Sequence, residues 1–156
     1  MDKPADVRRR TLMFGLAGSL TLVADREGIA SEIQAKPIEQ PERSDDATYI
    51  VRAFDMQIQA IASGDQAYGA VVVRNGRIVG QSPSRVVTDR DPTAHAEMEA
   101  IRDAARRLGS RDLSRCTLYS SSPACPMCEA AAYWAGIERM VYGKNASEGG
   151  SPRLCG

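Results

Sequence analysis

Apolar residues recur at helical spacing between residues 47 and 63, which predicts an amphipathic helix that ends at Gly64. The predicted apolar face of this helix carries Ile50, Val51, Phe54, Ile58 and Ile61. Two short β-branched runs follow, at residues 70–73 and 78–79, on either side of Asn75-Gly76. Because Asn-Gly is a preferred pair in tight hairpin turns, this pattern predicts a β-hairpin.

The second half of the chain alternates predicted helices and strands. A helix is predicted from Ala94 to Leu108, with Thr93 as its N-cap and Gly109 as its end. Its predicted apolar face carries Met98, Ile101, Ala105 and Leu108. The remaining predicted elements are a buried strand at Cys116–Tyr119, a helix at Cys125–Ala135 closed by Gly136, and a strand at Ile137–Tyr142.

The predicted element order is therefore α-β-β-α-β-α-β. A hairpin contributes antiparallel strands, whereas β-α-β connections contribute parallel strands and place their helices on the faces of the sheet. The fold class that follows is α/β, as a three-layer α/β/α sandwich with a mixed central sheet.

The start of the chain has the pattern of a targeting segment. Arg8-Arg9-Arg10 precedes a mildly apolar run from Phe14 to Ala24, which resembles a twin-arginine export signal. The run is shorter than the ~20 residues of a membrane-spanning helix. The protein is expected to be periplasmic if this signal functions and cytoplasmic otherwise, and the alternative interpretation is a basic N-terminal helix.

Residues 33–46 are predicted to be a linker, because Pro37 and Pro41 break helices and the surrounding residues are polar. We therefore predict two parts of the chain. Residues 1–46 form an N-terminal segment, and residues 47–156 form a single domain.

Composition favours a globular enzyme or binding domain with a small ligand. The chain has 156 residues, of which 43% are hydrophobic and 26% charged, so neither disorder nor stable membrane association is expected. Twenty Lys and Arg balance twenty Asp and Glu. A strong electrostatic footprint for nucleic acid is therefore missing, which favours a small substrate over a polynucleotide.

The candidate chemistry lies at the starts of two predicted helices. His95 is the only histidine, Glu97 follows it by two residues, and Cys125 and Cys128 open the next helix. Cys-x-x-Cys at a helix start places two thiolates one turn apart, and the helix dipole helps to keep them deprotonated. One imidazole and two thiolates suit Zn²⁺, whose fourth tetrahedral position then stays open for water, as in catalytic sites.

Each part of this pattern also has a simpler interpretation. A lone histidine at a helix start is more often a cap or a packing residue, and a lone Cys-x-x-Cys is equally typical of a redox pair or of half a structural zinc knuckle. The redox interpretation leaves His95 unexplained. A structural zinc site needs a fourth ligand, for which Cys116 and Cys155 are the remaining thiols.

Glu97 is predicted to carry protons and not to bind the metal. Residues two apart point in different directions on a helix, so Glu97 does not share a ligand set with His95. It can instead take a proton from a zinc-bound water as the hydroxide attacks an amidine carbon, and then protonate the departing amine. This chemistry predicts a hydrolytic deaminase that releases ammonia.

Two segments, Thr93–Met98 and Pro123–Cys128, resemble the His-x-Glu and Pro-Cys-x-x-Cys motifs of the cytidine deaminase-like superfamily. Within it, Asp91–Glu97 and Tyr133-Trp134-Ala135 are similar to the branch of bacterial guanine deaminases and tRNA adenosine deaminases. The resemblance covers about residues 47–143. It implies a cytidine deaminase-like fold, a zinc cofactor and a homodimer formed through the helices beside the metal site.

The resemblance also implies positions that contact the substrate. Gly69 and Ala70 match the strand whose backbone lines the base pocket. Ser84 occupies a place where many members carry an asparagine that hydrogen-bonds the base, and a hydroxyl makes fewer hydrogen bonds than an amide. The proline before the first cysteine is displaced by one residue, to Pro123, and the ligand geometry is expected to survive. After Gly143 the closing C-terminal helix of several relatives is not expected.

Three functions are compatible with the sequence. The favoured one is deamination of a guanine-like purine, as a nucleobase or nucleoside. The alternative within the same branch is deamination of adenosine in tRNA. The alternative from another class is a zinc-stabilised binding module that has lost activity.

Overall fold

Three helices and five strands follow one another in residues 36–154, the part of the chain that the computed structural model describes. In chain order they are α1 Asp46–Ala62, β1 Gly69–Arg74, β2 Arg77–Pro83, α2 Ala96–Leu108, β3 Cys116–Ser120, α3 Pro126–Trp134, β4 Arg139–Tyr142 and β5 Ser147–Gly150. The predicted order is confirmed, with β5 added at its end. The predicted export segment lies outside the described residues. None of the described helices combines the length and the apolar character that crossing a membrane requires.

The strands form one mixed sheet in the order β2-β1-β3-β4-β5. Strand β1 is antiparallel to both β2 and β3, so β2 and β3 run in the same direction. Strands β3 and β4 are parallel neighbours, and β5 returns antiparallel along β4. Helix α2 joins β2 to β3 and α3 joins β3 to β4, so both helices connect strands that run the same way.

Helices cover both faces of this sheet, because successive strand residues point to opposite sides. The strand residues that share a buried cluster with α1 are Val71, Val73, Ile78, Tyr119 and Val141. The strand residues that share a cluster with α2 and α3 are Ala70, Val72, Cys116, Leu118 and Met140. The predicted three-layer α/β/α sandwich with a mixed sheet is confirmed.

The two crossover helices begin at the same edge of the sheet. Helix α2 follows the carboxyl end of β2, α3 follows that of β3, and both helices lie on one face. In α/β sheets, binding sites form outside the carboxyl ends of the strands, where helix N-termini come together. The topology therefore brings the start of α2 close to the start of α3.

Helix α1 buries only part of its predicted face. Val51, Ile58 and Ile61 are 60%, 63% and 58% exposed. The residues that α1 does bury are Tyr49, Ile50, Ala53, Met56 and Ala60. A Cβ added to Gly69 of β1 would lie only 2.2 Å from the carbonyl oxygen of Ala53. The close approach of small residues sets the orientation of this helix, so the predicted face is confirmed at Ile50 and partly at Phe54, and the other three positions are wrong.

Helix α2 packs in the same way. Its fully buried positions Ala96, Ala100 and Ala104 are four residues apart and face the sheet. A Cβ added to Gly80 of β2 would lie 2.5 Å from the carbonyl oxygen of Ala100. The predicted face is only partly buried, at Met98, Ile101, Ala105 and Leu108. The helix is confirmed, and its predicted face lies beside the fully buried one, with Ile101 and Leu108 packed against the core.

Two segments at the sheet edges depart from the sequence pattern. Strand β5 has the sequence Ser-Glu-Gly-Gly and is mostly exposed, so no apolar alternation marks it.

Within the predicted linker, the side-chain amide of Gln40 accepts from the N–H of Ile78 at 2.8 Å and donates to its carbonyl at 3.0 Å. The division of the chain at residue 46 stays a prediction, but the described part of the linker contacts β2.

A polar network ties α1 to the sheet. Asp46 accepts hydrogen bonds from the Tyr119 hydroxyl at 2.7 Å and from two Arg139 nitrogens at 2.7 and 3.0 Å. The hydrogen bonds from Arg139 and Tyr119 hold the pKa of the Asp46 carboxyl below its ordinary value of 3.8. Because the folded pKa is lowered, the carboxylate stabilises the fold above that ordinary value, and the stabilisation is lost as the pH falls through the folded pKa.

The variant Asp46→Asn is expected to lower the free energy of unfolding by about 1–2 kcal/mol at neutral pH, because it removes a bidentate charged pair. Solvent screening keeps the value small, since the two side chains are 38% and 37% exposed. Urea denaturation at neutral pH and at about pH 2 measures the effect, and variant and parent should converge at the lower pH.

Asp55→Asn is the matched control, because Asp55 lies on the same helix with a 47% exposed side chain. It should change the free energy of unfolding by less than about 0.5 kcal/mol. An equal loss for Asp46→Asn at both pH values would contradict the charge-based explanation.

Candidate metal centre

His95 occupies the N-cap position of α2, one residue before the helix begins. Its backbone is extended, with φ −61° and ψ 153°, and its side chain makes no capping hydrogen bond. The predicted N-cap, Thr93, is wrong, because its N–H and hydroxyl both donate to the Asp91 carboxylate at 2.7 Å in a turn ahead of the helix. This turn delays the start of α2 and leaves the imidazole available for another partner.

Cys125 occupies the equivalent position before α3 and also makes no capping hydrogen bond. Pro126 fills the first helical position, where a missing N–H has little cost. Cys128 lies in the first turn and is fully buried. The displaced Pro123 does not separate the two thiols, since the sulfur atoms of Cys125 and Cys128 are 3.6 Å apart.

The three predicted metal ligands converge. His95 Nδ1 lies 3.7 Å from Cys125 Sγ and 3.6 Å from Cys128 Sγ. Zinc bonds of roughly 2.3 Å to sulfur and 2.0–2.1 Å to nitrogen at tetrahedral angles would separate such donor atoms by about 3.5–3.8 Å. The spacing of the donors therefore fits one zinc ion.

Within residues 36–154, these three residues form the one group of His, Cys, Asp and Glu side chains that could hold a metal ion. Cys116 lies at the opposite end of β3 from the start of α3, and Cys155 is outside the described residues. The structural zinc interpretation thus lacks a fourth ligand in this part of the chain. Three protein donors are the pattern of a catalytic zinc site.

Glu97 is buried beside the donors, with 5% of its surface exposed. Its Oε2 lies 3.7 Å from Cys128 Sγ, but it does not belong to the group of three ligand atoms. Burial raises the pKa of its carboxyl, and its own backbone N–H, the His95 charge and the Cys128 thiol oppose that rise. A buried carboxyl of this kind is suited to taking up and returning a proton.

The protein's own groups oppose ionisation of the Cys128 thiol. Burial raises its pKa most, followed by the Glu97 charge and by Cys125. A divalent cation reverses this balance, because a coordinated thiol loses its proton. The donor set therefore fits a site that a cation completes.

The predicted substrate-binding residues are all buried. Gly69 opens β1, donates its N–H to Ser121 Oγ at 3.1 Å and accepts the Ser121 N–H at 2.9 Å, which ties it to the segment leading into α3. Ala70 belongs to the cluster beneath α2. Ser84 follows β2, and its hydroxyl donates to Asp65 at 2.8 Å. Contacts of these residues with a substrate stay predictions.

Asp65 is a residue of the site region that the sequence did not single out. Its carboxylate accepts hydrogen bonds from the Ser84 hydroxyl and from the backbone N–H groups of Val87 and Thr88. Aspartate is common in turns, where it accepts nearby backbone N–H groups. Apart from the N–H of the adjacent Gln66, its partners here are 19 to 23 residues away, so no local pattern could reveal them.

Known proteins share both the sequence and the fold. The family model of the cytidine and deoxycytidylate deaminase zinc-binding region matches residues 43–144. Over 96 residues, 61% of this chain and 62% of the relative, the chain is 41% identical to a guanine deaminase of Bacillus subtilis. Over 84 residues, 54% of this chain and 56% of the relative, it is 38% identical to a tRNA-specific adenosine deaminase of Aquifex aeolicus. The chain thus spans less than two thirds of the length of these two relatives.

A solved structure of the Bacillus subtilis guanine deaminase matches this fold with a TM-score of 0.62 and 36% identity, over 69% of this chain and 72% of that chain. A three-layer sandwich whose two crossover helices begin with an imidazole, two thiols and a buried carboxylate defines a zinc-site protein of the deaminase type. The chain belongs to the cytidine and deoxycytidylate deaminase zinc-binding family. Zinc is accordingly the cofactor of the site formed by His95, Cys125 and Cys128.

Replacing Cys128 by alanine is expected to reduce bound zinc from about one ion per chain to nearly none, because two donors hold zinc far less tightly than three. Metal analysis by mass spectrometry after gel filtration measures the zinc content. Cys116→Ala is the matched control, since Cys116 is an equally buried thiol away from the donors, and it should keep its zinc. Circular dichroism checks folding, and the less buried Cys125→Ala replaces Cys128→Ala if the latter does not fold. Zinc retained in the folded variant would refute the ligand assignment.

Proposed function

We propose that the protein is a zinc-dependent hydrolytic deaminase of a nucleobase or nucleoside, with a guanine-like purine as the favoured substrate. One observation carries this proposal, the convergence of three zinc donors with a buried carboxylate. The ligand atoms of His95, Cys125 and Cys128 lie within 4.8 Å of one another, and Glu97 Oε2 is 3.7 Å from Cys128 Sγ. Similarity to a guanine deaminase and to a tRNA-specific adenosine deaminase supports the same reaction.

Each residue of the site has a separate task in this reaction. His95, Cys125 and Cys128 hold the zinc ion, which supplies the Lewis acidity that makes water nucleophilic near neutral pH. The oxygen of water bonds to the amidine carbon, and the bond from that carbon to the exocyclic nitrogen breaks. Glu97 accepts a proton from the attacking water and returns a proton to the departing nitrogen, which leaves as ammonia. The carboxylate is regenerated at the end of the cycle.

The second candidate substrate is adenosine within tRNA, which the similarity to the Aquifex aeolicus enzyme favours. Binding a polynucleotide needs basic side chains that are free to meet phosphates. On α2, however, Arg102 pairs with Glu99 and Arg107 with Asp103, which leaves only the exposed Arg106 of this helix for a phosphate, and the formal net charge of the chain is +0. These observations favour a small heterocycle.

A substrate panel tests the proposal. Ammonia release is measured for zinc-replete protein with guanine, adenine, cytosine, their nucleosides and a tRNA anticodon stem-loop. We expect the highest kcat/KM for a guanine-like purine, at least about tenfold above the others, because binding groups shaped for one heterocycle discriminate by this amount or more. A higher value for the stem-loop would favour the tRNA function, and no release from any compound would favour the inactive binding module.

The variant Glu97→Gln is expected to keep its zinc and its melting temperature and to lose about 10²–10⁴-fold in kcat, because it removes the proton carrier and no ligand. Steady-state ammonia release on the best substrate of the panel measures the loss. Glu99→Gln is the matched control, since Glu99 lies on the same helix and pairs with Arg102, and it should stay within about threefold of the parent. Parental turnover in Glu97→Gln would rule out the proposed role.

Assembly and location stay predictions. The rings of Tyr133 and Trp134 meet edge to face at the end of α3, and Trp134 is 72% exposed. This exposed pair is compatible with the predicted homodimer through the helices beside the metal site. Export to the periplasm also stays a prediction, because the segment that suggests it lies outside the described residues.

A further inference from the structure

Both carboxylate oxygens of Asp65 accept hydrogen bonds from a loop that is distant in the chain. It follows the turn after α1, and its backbone is fixed by a hydrogen bond from its N–H to the Ala60 carbonyl at 2.9 Å. Oδ1 accepts from the Ser84 hydroxyl at 2.8 Å, and Oδ2 accepts from the N–H groups of Val87 and Thr88 at 2.9 and 2.8 Å. One aspartate therefore holds three separate points of the loop between β2 and α2.

The same loop leads directly to the metal centre. The Arg85 N–H donates to the Ala94 carbonyl at 2.9 Å, and Ala94 immediately precedes His95. The Ser84 N–H donates to the Tyr68 carbonyl at 3.0 Å, which ties the loop to the residue before β1. Asp65 thus fixes a segment whose two ends are the predicted substrate-contacting residue Ser84 and the zinc ligand His95.

The bond to Asp65 also determines what Ser84 can offer. A serine hydroxyl has one proton to donate and two lone pairs that accept. Partial burial of the Asp65 carboxyl acts to raise its pKa, but the hydrogen bonds from Thr88, Ser84 and Gln66 outweigh that effect and hold the pKa well below its usual range. Asp65 is therefore a charged acceptor, and the Ser84 hydroxyl directs its proton to it, so any further hydrogen bond at the Ser84 oxygen must be one that it accepts.

We propose that Asp65 is a positioning residue of the deaminase site, which fixes the loop at residues 84–88 and turns Ser84 into a pure acceptor for an N–H group of the substrate heterocycle. This inference rests on the proposed function, because Ser84 must face the substrate. It narrows the substrate class to heterocycles that present a ring or amide N–H at this point. Asp65 itself does not touch the reacting atoms.

The first test is structural and needs no activity. In Asp65→Ala, amide hydrogen exchange at Val87 and Thr88 should accelerate at least about tenfold, because no oxygen remains to accept from their N–H groups. Zinc content should stay at the parental level. Asp112→Ala is the control, since Asp112 also accepts a backbone N–H, that of Ser114, and has no bond to the loop at residues 84–88. Unchanged exchange at Val87 and Thr88 would overturn the anchoring role.

The second test is a double-mutant cycle on the best substrate of the panel. Asp65→Asn should raise KM at least about tenfold and change kcat by less than about threefold, because it disturbs substrate contact and not proton transfer. In a Ser84→Ala background, the same substitution should raise KM by a clearly smaller factor than in the parent, since the part of its effect that passes through the Ser84 hydroxyl is already lost. Additive effects, or a loss in kcat alone, would overturn the proposal.

N-methylated guanines test the acceptor directly. Methylation removes the ring N–H groups one at a time, and one such methylation should weaken binding to the parent at least about tenfold more than binding to Ser84→Ala. Equal weakening in both proteins for every methylated compound would contradict an acceptor at Ser84. If the parent releases ammonia from no compound at all, the proposed function fails, whereas the exchange experiment still decides whether Asp65 anchors the loop.

Discussion

The site depends on one topological constraint, which is that β2, β3 and β4 all run in the same direction while the helices between them lie on one face. Two successive connections of this kind must start their helices at the same edge of the sheet. Residues 30 positions apart in the chain, His95 and Cys125, thereby reach 3.7 Å between their ligand atoms. The antiparallel strand β1, inserted between β2 and β3, spaces the two helices without reversing either of them.

At both helix starts, side chains that commonly cap a helix are replaced by metal donors. His95 and Cys125 stand at N-cap positions and form no capping hydrogen bond, so both helices begin without the stabilisation of about 1 kcal/mol that serine or aspartate provides there. The free N–H groups and the helix dipoles favour negative charge at these points. A pair of zinc-bound thiolates is such a charge, so the metal site and the helix starts stabilise each other.

The chemistry of the site was readable from the sequence because its donors lie in two short motifs at recognisable helix starts. The packing was not, because it depends on pairs of small residues far apart in the chain. Gly69 against Ala53 and Gly80 against Ala100 allow backbones to approach so closely that small residues lie at the centre of each helix–sheet contact, while some larger apolar residues, such as Ile58 and Ile61 of α1, stay exposed. Hydropathy periodicity weights residues by size and polarity, and so it rotates the predicted face away from the true one where close approach decides the packing. Strand β5 was not predicted for a related reason, since it is defined by backbone pairing with β4 and not by an apolar pattern.

The hydrogen bonding of Ser84 is set by a pair of residues and not by a single position. An asparagine at this position would supply both a donor and an acceptor from one amide. Here the serine hydroxyl donates its single proton in a hydrogen bond to Asp65, so the hydrogen-bonding polarity of this hydroxyl is set from outside the loop. A substitution at either residue changes that polarity. Under the proposed function, an aspartate that follows α1 therefore acts on substrate recognition through Ser84, at a distance in the chain from the metal donors at the starts of α2 and α3.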